Sequence, residues 1–238
     1  MEICKQGSAI LGEMTAPHTL AAVLFDWDGT LIDSYHADSQ AYLALFREMG
    51  VPWGLPELER HYSPNWYVVY RAAGIPNVRW PDADRTWRTY YAKHRPKLMS
   101  GARRVLGQLA RRHKLGLVTS GDRNRVMGQL RGFGLLRILR TRVCGGDLEE
   151  KKPHPAPLQM ALRQMAIEPA ECVYVGDTPE DVEMARAAGV RAIAVLGPFP
   201  TEKRLRAVRP EFLLDDLRKL PGLLRELYGK ARRPRTRS

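Results

Sequence analysis

The sequence predicts an α/β protein in which a doubly wound, mainly parallel sheet carries an inserted all-α segment. From Gly101 onward, short apolar runs alternate with segments of helical apolar spacing, which favours a parallel sheet with helices on both faces. Between residues 51 and 99 the chain is instead rich in aromatic residues and prolines, and no stretch has a convincing strand pattern. These observations predict a helical module inserted after the first strand.

The first strand is predicted at residues 20–25, an apolar run of the kind found in strands buried on both faces. Two acids, Asp26 and Asp28, follow it one residue apart, and residues i and i+2 of an extended chain lie on the same side. Two buried carboxylates repel each other, so the pair requires a cation or a shared proton. The pattern indicates a magnesium site with one carboxylate free to attack, although Asp and Gly are also common in surface turns.

The remaining elements follow in chain order. Helical spacing predicts a helix at residues 34–49 that stops at Gly50, followed by short helical pieces at 51–99. Beyond them the pattern predicts helices at 102–112, 122–133, 155–165, 179–188 and 216–228, and strands at 115–118, 141–144, 172–175, 191–196 and 211–214. We therefore expect a core domain formed by residues 20–33 and 100–228 and a helical cap domain formed by residues 34–99.

The two ends of the chain differ from this pattern. Residues 1–19 are expected to be a flexible leader, and residues 229–238 a disordered basic tail without an acid. The net charge of +12 is of the sign that attracts nucleic acid or phosphorylated substrates. No apolar run approaches the roughly 20 residues of a membrane helix, no signal peptide is evident, and the three cysteines are far apart. We expect a cytoplasmic protein without disulfides or a zinc site.

Polar residues occur at four places that follow apolar runs or lie in the loops between them: Asp26 with Asp28, Thr119 with Ser120, Lys152, and Asp177 with Asp181. Because all strand ends of a parallel sheet point the same way, these places are expected to converge. Three or more acids suit magnesium, and a lysine beside a hydroxyl suits a phosphate group. Taken singly, each place is also explained as a helix cap or an ordinary turn.

The same four places resemble, in order and spacing, the motifs of the haloacid dehalogenase (HAD) superfamily, in members with a small helical cap. DWDGTL at 26–31 resembles the first motif, VTSG at 118–121 the second, KKPHP at 151–155 the third and GDTPED at 176–181 the fourth. The resemblance covers residues 20–216 and is to phosphoglycolate phosphatases and similar small-molecule phosphatases. It implies a Rossmann-like core and a magnesium-dependent enzyme that hydrolyses a small phosphate monoester through an aspartyl-phosphate.

By this resemblance Asp26 is the nucleophile that attacks phosphorus. Asp28 protonates the leaving oxygen and then activates the water that hydrolyses the intermediate. Magnesium would be held by the Asp26 side chain, the Asp28 backbone carbonyl and Asp177. Asp181 would hold a water on the metal or orient Lys152.

The resemblance assigns the phosphate group to the second and third motifs. Thr119 would donate a hydrogen bond to a phosphoryl oxygen, with help from the backbone N–H groups of Ser120 and Gly121 near a helix start. Lys152 precedes a proline, as the motif requires, and would offset the negative charge of nucleophile and phosphate. Its neighbour Lys151 stays open as an alternative.

The resemblance also separates the possible reactions. Relatives that cleave carbon–halogen bonds lack an acid at the place of Asp28, because halide needs no proton. Phosphonate-cleaving relatives use a cap lysine, whereas the lysines here, Lys93 and Lys97, lie near the end of the cap. A sugar-phosphate mutase is a closer alternative, but such relatives usually carry a histidine where Asp38 falls. A hydrolase is therefore favoured.

The cap is expected to recognise the leaving group, and its candidate contacts are Asn65, Trp66, Tyr67 and Arg71. The expected partner is a small phosphorylated substrate, with no membrane. One alternative from a different class is a non-catalytic nucleic-acid-binding protein that uses the basic tail. The chain has no recognisable nucleic-acid-binding motif, which favours the enzyme.

Overall fold

The computed structural model of the chain describes residues 19–229. The predicted leader, apart from Thr19, and the predicted basic tail, apart from Gly229, lie outside the described residues. Within that range the chain forms a six-stranded sheet, a two-stranded ribbon and helices on both faces of the larger sheet.

The larger sheet is entirely parallel. Its strands are β1 (Ala22–Phe25), β4 (Lys114–Asp122), β5 (Leu139–Gly145), β6 (Cys172–Gly176), β7 (Arg191–Val195) and β8 (Phe212–Leu214). They lie in the order β5–β4–β1–β6–β7–β8, so the first strand of the chain is central and the strand order reverses beside it. The predicted fold class is confirmed, and a site is expected beyond the carboxyl ends of these central strands.

The helices divide into an inserted group and a group that covers the sheet. The inserted helices are α1 (Tyr35–Met49), α2 (Leu55–His61), α3 (Trp66–Ala72) and α4 (Trp80–Tyr91). The covering helices are α5 (Ala102–Leu109), α6 (Arg123–Gly132), α7 (Ala156–Met165), α8 (Pro179–Ala187), α9 (Glu202–Ala207) and α10 (Leu220–Tyr228). No helix described between residues 19 and 229 is long and apolar enough to cross a membrane.

Strand β1 shows why the sheet is covered on both faces. Val23 and Phe25 belong to the apolar cluster formed with α5, α6 and α10, whereas Ala22 and Leu24 belong to the cluster formed with α7, α8 and α9. All four side chains are fully buried. Because alternate residues of a strand point to opposite faces, a strand with an apolar core on each side has no polar position.

The inserted helices, which we call the cap, have an apolar core of their own. Tyr42 and Phe46 of α1 pack with Tyr70 of α3, and the aromatic rings of α4 close the cluster. The chain enters the cap through β2 (Ile32–Asp33) and leaves it through β3 (Lys97–Leu98), which pair antiparallel. The ribbon fixes the two connections side by side. The boundaries predicted for the cap, 34–99, stay a prediction.

Three expectations about the elements are wrong. The stretch 51–99 contains a strand, β3, which is too short at two residues to produce an alternating pattern. Strand β4 continues through Thr119 to Asp122 instead of ending at residue 118, because the chain still pairs with β5 after an irregularity in register. Helix α9 was not predicted, since its six residues include a single buried side chain, Leu205.

Candidate active site

The predicted site residues converge at the carboxyl ends of β1, β4 and β6. A cavity of about 280 Å³ lies there, between the sheet and the cap. Five of the predicted residues line it: Asp26, Asp28, Thr119, Ser120 and Gly121. Lys152, Asp177 and Asp181 are buried and contact these residues or one another. The sequence motifs, up to 155 residues apart, therefore meet in one place.

Lys152 is the centre of a buried hydrogen-bond network. Its ammonium donates to Asp26 Oδ1 at 2.6 Å, to Asp181 Oδ1 at 2.7 Å and to the Tyr174 hydroxyl at 2.8 Å. The Tyr174 hydroxyl lies 2.8 Å from the carbonyl oxygen of Val118, to which it donates. Three N–H donors thus meet three oxygen atoms, and Lys152 is only 2% exposed. The sequence did not reveal Tyr174, because it is one of several apolar-looking residues within β6.

The network controls the charges of its members. Burial disfavours the Lys152 ammonium, but the carboxylates of Asp181 and Asp26 outweigh it and raise the pKa of Lys152 above its ordinary value. Burial raises the pKa of Asp26 to about 7 even though Lys152 opposes the change. A lysine that stays protonated beside a buried carboxylate is the arrangement that stabilises added negative charge at this place.

Asp26, Asp177 and Asp181 form a buried acidic trio whose oxygen atoms lie within 4.8 Å of one another. Asp177 Oδ1 accepts a hydrogen bond from the Thr30 hydroxyl at 2.8 Å, but the buried Oδ2 has no partner among the described residues. Burial and the neighbouring carboxylate of Asp26 raise the pKa of Asp177 well above its ordinary value. An unpartnered buried carboxylate oxygen is costly unless a cation occupies the space beside it.

Two glycines create that space. Gly29 has a φ of +84°, and a Cβ at this position would collide with Asp177 Oδ2. A Cβ at Gly197 would lie 2.6 Å from the Gly29 carbonyl oxygen and 2.7 Å from Asp177 Oδ2. The donor set consists of oxygen atoms alone, which is the preference of magnesium. The residues present therefore fit the magnesium ion that the resemblance implies.

Asp28 lies in the same cavity but has a different partner. Arg125 of α6 donates from Nη2 to Asp28 Oδ2 at 2.6 Å and from Nη1 to Asp28 Oδ1 at 2.9 Å, in a bidentate pair. Arg125 also donates to the Tyr91 hydroxyl of the cap at 3.1 Å, and its guanidinium lies 4.8 Å from the centre of that ring. Arg125 thus joins Asp28 to the cap. The sequence did not indicate it, because one arginine among many on a helix gives no signal.

The residues of the second motif are partly engaged with one another. Thr119 Oγ1 accepts a hydrogen bond from the backbone N–H of Gly121 at 3.0 Å. The buried Ser120 hydroxyl has no partner in the part of the chain that the structure describes. Phosphate binding by the Gly121 N–H therefore requires the Thr119 side chain to turn, whereas the Ser120 hydroxyl is already available.

Of the four cap residues predicted to contact the leaving group, two line the cavity. Trp66 and Tyr67 line the cavity, but Asn65 and Arg71 do not. Asn65 instead caps α3 by accepting from the backbone N–H of Tyr67 at 3.3 Å, and Arg71 lies 5.8 Å from the Trp80 ring. Both side chains are therefore engaged with other parts of the cap.

Asp38 and Lys151 also line the cavity. Burial, with the nearby carboxylate of Asp28, raises the pKa of Asp38 to about 8. Lys151 turns away from the acidic trio, and its ammonium lies 4.8 Å from the centre of the Trp66 ring. Lys152, not Lys151, therefore occupies the position beside Asp26.

Comparisons with known proteins identify the family of this chain. The pattern of the haloacid dehalogenase-like hydrolase family matches residues 23–195. The pyrophosphatase PpaX of Bacillus pumilus is 29% identical over 215 residues, which cover 87% of this chain and 97% of the relative. A plasmid-encoded phosphoglycolate phosphatase of Cupriavidus necator is 31% identical over 219 residues, which cover 85% of this chain and 92% of the relative.

Solved structures of other proteins share the fold of this chain. CbbY from Rhodobacter sphaeroides, determined in complex with phosphate, has a TM-score of 0.73 at 24% identity and covers 85% of this chain and 96% of its own. A haloacid dehalogenase-like family hydrolase from Streptococcus pneumoniae has a TM-score of 0.75 at 21% identity, over 86% of this chain and 98% of its own. Because the family pattern spans most of the chain and the four motifs meet in one site, the chain belongs to the haloacid dehalogenase-like hydrolase family.

Proposed function

We propose that this protein is a magnesium-dependent phosphatase that hydrolyses a small-molecule phosphate monoester through an aspartyl-phosphate on Asp26. The observation that carries the proposal is the position of Asp26, at the end of a buried strand, facing the cavity between sheet and cap and paired through one oxygen with Lys152. The names of the relatives, pyrophosphatase and phosphoglycolate phosphatase, support phosphoryl-group chemistry.

In the first step a carboxylate oxygen of Asp26 attacks phosphorus, and the bond between phosphorus and the ester oxygen breaks. Lys152 holds only Oδ1 of Asp26, which leaves the second oxygen for attack. Asp28 gives its proton to the departing alcohol. Both oxygens of Asp28 accept hydrogen bonds from Arg125 in this structure, so the Asp28 carboxyl group turns from Arg125 toward the leaving oxygen for this transfer.

In the second step a water molecule attacks phosphorus and Asp28 takes its proton. The bond between Asp26 and phosphorus breaks, which releases inorganic phosphate and restores the carboxylate. Lys152 stays protonated throughout and offsets negative charge on the phosphoryl oxygens, while Thr119 and Ser120 donate hydrogen bonds to them.

The magnesium ion would be held by the side chains of Asp26 and Asp177 and the backbone carbonyl of Asp28. When bound, it supplies further positive charge to the phosphoryl group. The side chain of Asp181 orients Lys152 through their 2.7 Å ion pair, and its other oxygen accepts from the backbone N–H and the hydroxyl of Thr178.

The test is phosphate release from a panel of small phosphate esters, with magnesium and with EDTA, on the wild type and Asp26→Asn. We expect magnesium-dependent release that falls by at least about 10⁴-fold in the variant, because the nucleophile is lost. The variant should stay folded by circular dichroism. Near wild-type release by folded Asp26→Asn would refute the role of Asp26.

Asp177→Asn tests the metal site separately. We expect the magnesium concentration for half-maximal activity to rise about tenfold or more, because a neutral amide replaces a ligand with negative charge. An unchanged magnesium titration would remove Asp177 from the metal site. If no ester releases phosphate but a sugar phosphate is isomerised, the protein is a mutase. If neither occurs but RNA binds with a steep dependence on salt that is lost on deleting residues 230–238, the nucleic-acid-binding alternative holds.

A further inference from the structure

The cavity extends from Asp26 at the sheet to aromatic side chains of the cap. The cavity volume of about 280 Å³ approaches the range of roughly 300–1,000 Å³ that holds drug-sized ligands. The phosphate site at Asp26 occupies one end of it. The remaining space lies against the cap, where the leaving group of the ester must fit.

Aromatic rings form most of the wall at this end: Tyr42, Tyr62, Trp66, Tyr67, Tyr70, Trp87 and Phe199. Some of them join the cap to the sheet. Tyr62 stacks on Phe199 with ring centres 4.7 Å apart, and the Trp66 ring reaches over Gly145 at the end of β5. A Cβ at Gly145 would collide with the Ser120 carbonyl oxygen and lie 3.2 Å from Trp66 Cη2, so the glycine is required by the Ser120 backbone and also leaves room for the ring. Flat apolar walls of this kind favour a flat apolar ligand.

Three hydrogen-bond donors at this wall have no oxygen partner among the described residues. One is the buried Nε1 of Trp87, and the other two, on Trp66 and Lys151, lie together. The buried Nε1 of Trp66 is unpartnered among the described residues. The Lys151 ammonium lies over the rings of Trp66 and Tyr67, 4.8 Å and 5.7 Å from their centres, and forms no salt bridge within residues 19–229. An acceptor atom on the ligand would satisfy either donor.

The charges at this end do not favour a second anion on the ligand. Arg125 is paired with Asp28, and Arg88 lies 3.4 Å from Asp122. Asp38, with its pKa of about 8, is largely uncharged at neutral pH, and the Asp84 carboxylate balances the Lys151 ammonium. A carboxylate or second phosphate on the leaving group would add an unmatched negative charge, whereas a neutral group would not.

We propose that this end of the cavity binds a neutral aromatic ring that packs against Trp66 and Tyr67 and accepts a hydrogen bond from Lys151. The substrates are then phosphate monoesters of ring-bearing alcohols, with a single phosphate group and no other anionic group. The inference rests on the proposed phosphatase function, because the ring is part of the alcohol that leaves when the ester is hydrolysed.

The experiment compares esters that share a phosphate and a sugar and differ in the ring. A nucleoside 5′-monophosphate and ribose 5-phosphate form the matched pair, with phosphoglycolate and pyrophosphate as anionic alternatives. We expect kcat/KM for the nucleotide to exceed that for ribose 5-phosphate by about tenfold or more, the effect of one stacked ring. The anionic pair should be poorer still.

Variants assign the preference to the wall. Trp66→Leu should reduce the ratio of the two kcat/KM values to near one, because the leucine side chain offers no aromatic ring for stacking. Trp53→Leu is the matched control, because Trp53 is a cap tryptophan that stacks on His61 outside the cavity. Lys151→Met should lower the ratio severalfold without disturbing the fold. Its control is Lys93→Met, which removes another ammonium that lies over an aromatic ring, Tyr90.

The outcomes separate the two proposals. A nucleotide preference that is lost in Trp66→Leu or Lys151→Met and kept in both controls supports the ring-binding wall. Efficient release from phosphoglycolate or pyrophosphate, with no preference for the nucleotide over ribose 5-phosphate, overturns it and leaves the phosphatase intact. No phosphate release from any ester overturns the phosphatase, and the ring-binding inference with it.

Discussion

Lys151 and Lys152 are consecutive in the chain, yet they belong to opposite ends of the cavity. Lys152 is buried, and its ammonium contacts three oxygen atoms of the core. Lys151 is half-buried and lies over aromatic rings of the cap. The chain turns at Lys152, so the side chains of adjacent residues can reach two different sites. The surroundings, and not the residue type, determine what each lysine does.

The two lysines show that charges contribute differently at the two ends of the cavity. At the core end, buried charges depend on one another, because an unpaired charge away from water is costly. At the cap end, charges are nearer solvent and individually worth little to stability. Changes at the core end should therefore alter both folding and chemistry, and changes at the cap end mainly recognition.

The largest effect is expected for Lys152→Met. Removal of the ammonium leaves the carboxylates of Asp26 and Asp181 buried without a cation, which should lower the free energy of unfolding by about 3–5 kcal/mol. The value of kcat should fall by about 10²–10³-fold. Urea unfolding in EDTA and phosphate release measure the two effects. Lys151→Met is the control and should change the free energy of unfolding by less than about 0.5 kcal/mol. Equal losses in the two variants would contradict the comparison.

A smaller effect is expected for Arg125→Met, which tests the residue that joins the two ends. The loss of a bidentate pair should lower the free energy of unfolding by about 2–3 kcal/mol. Arg125→Lys should recover only part of this, because an ammonium cannot reproduce the fork. Tyr91→Phe keeps the pair with Asp28. It removes the hydroxyl that accepts hydrogen bonds from Arg125 and Gln129, so it should cost about 1 kcal/mol. If Arg125→Lys had the free energy of unfolding of the wild type, the positive charge alone, and not the bidentate geometry, would account for the stabilisation.

Tyr174→Phe should lower the free energy of unfolding by about 1–2 kcal/mol. The substitution removes the buried hydroxyl that contacts Lys152, Asp181 and the Val118 carbonyl. Tyr90→Phe is the matched control, since its hydroxyl is exposed and contacts only Glu48. Chemical denaturation of both variants tests the prediction. A loss in Tyr90→Phe as large as that in Tyr174→Phe would count against the network.

The smallest effect concerns pH and Asp38. Its pKa is raised from 3.8 to about 8 in the folded protein, so between these values the folded state holds a proton that the unfolded state has lost. Stability should therefore fall as pH rises from about 4 to about 8. Asp38→Asn should reduce this loss of stability by about 1 kcal/mol. The effect is small because the side chain is partly exposed and solvent screens its charge. Urea unfolding at pH 5 and pH 8 measures the difference. Asp33→Asn, at an exposed position, should show the same dependence of stability on pH as the wild type. The same dependence in Asp38→Asn would refute the raised pKa of Asp38.

The amino-acid sequence was sufficient for the fold class and for the residues that meet at the sheet. Apolar runs alternate with helical spacing from residue 101, and that periodicity is local, so it survives in a single sequence. The motif residues come where strands end or in the loops that follow. In a parallel sheet that position alone brings Asp26, Thr119 and Asp177 to one edge.

The tertiary structure determined which side chains pair with the site residues. Asp28 and Arg125 are 97 residues apart, and their pair depends on how α6 docks against the end of β1. The choice between Lys151 and Lys152 depends on which way each side chain points once the cap is in place. Tyr174 contributes through a hydroxyl that no periodic pattern distinguishes from an apolar ring. Local patterns record which side of an element is buried, whereas a partner distant in sequence is determined only when the elements pack together.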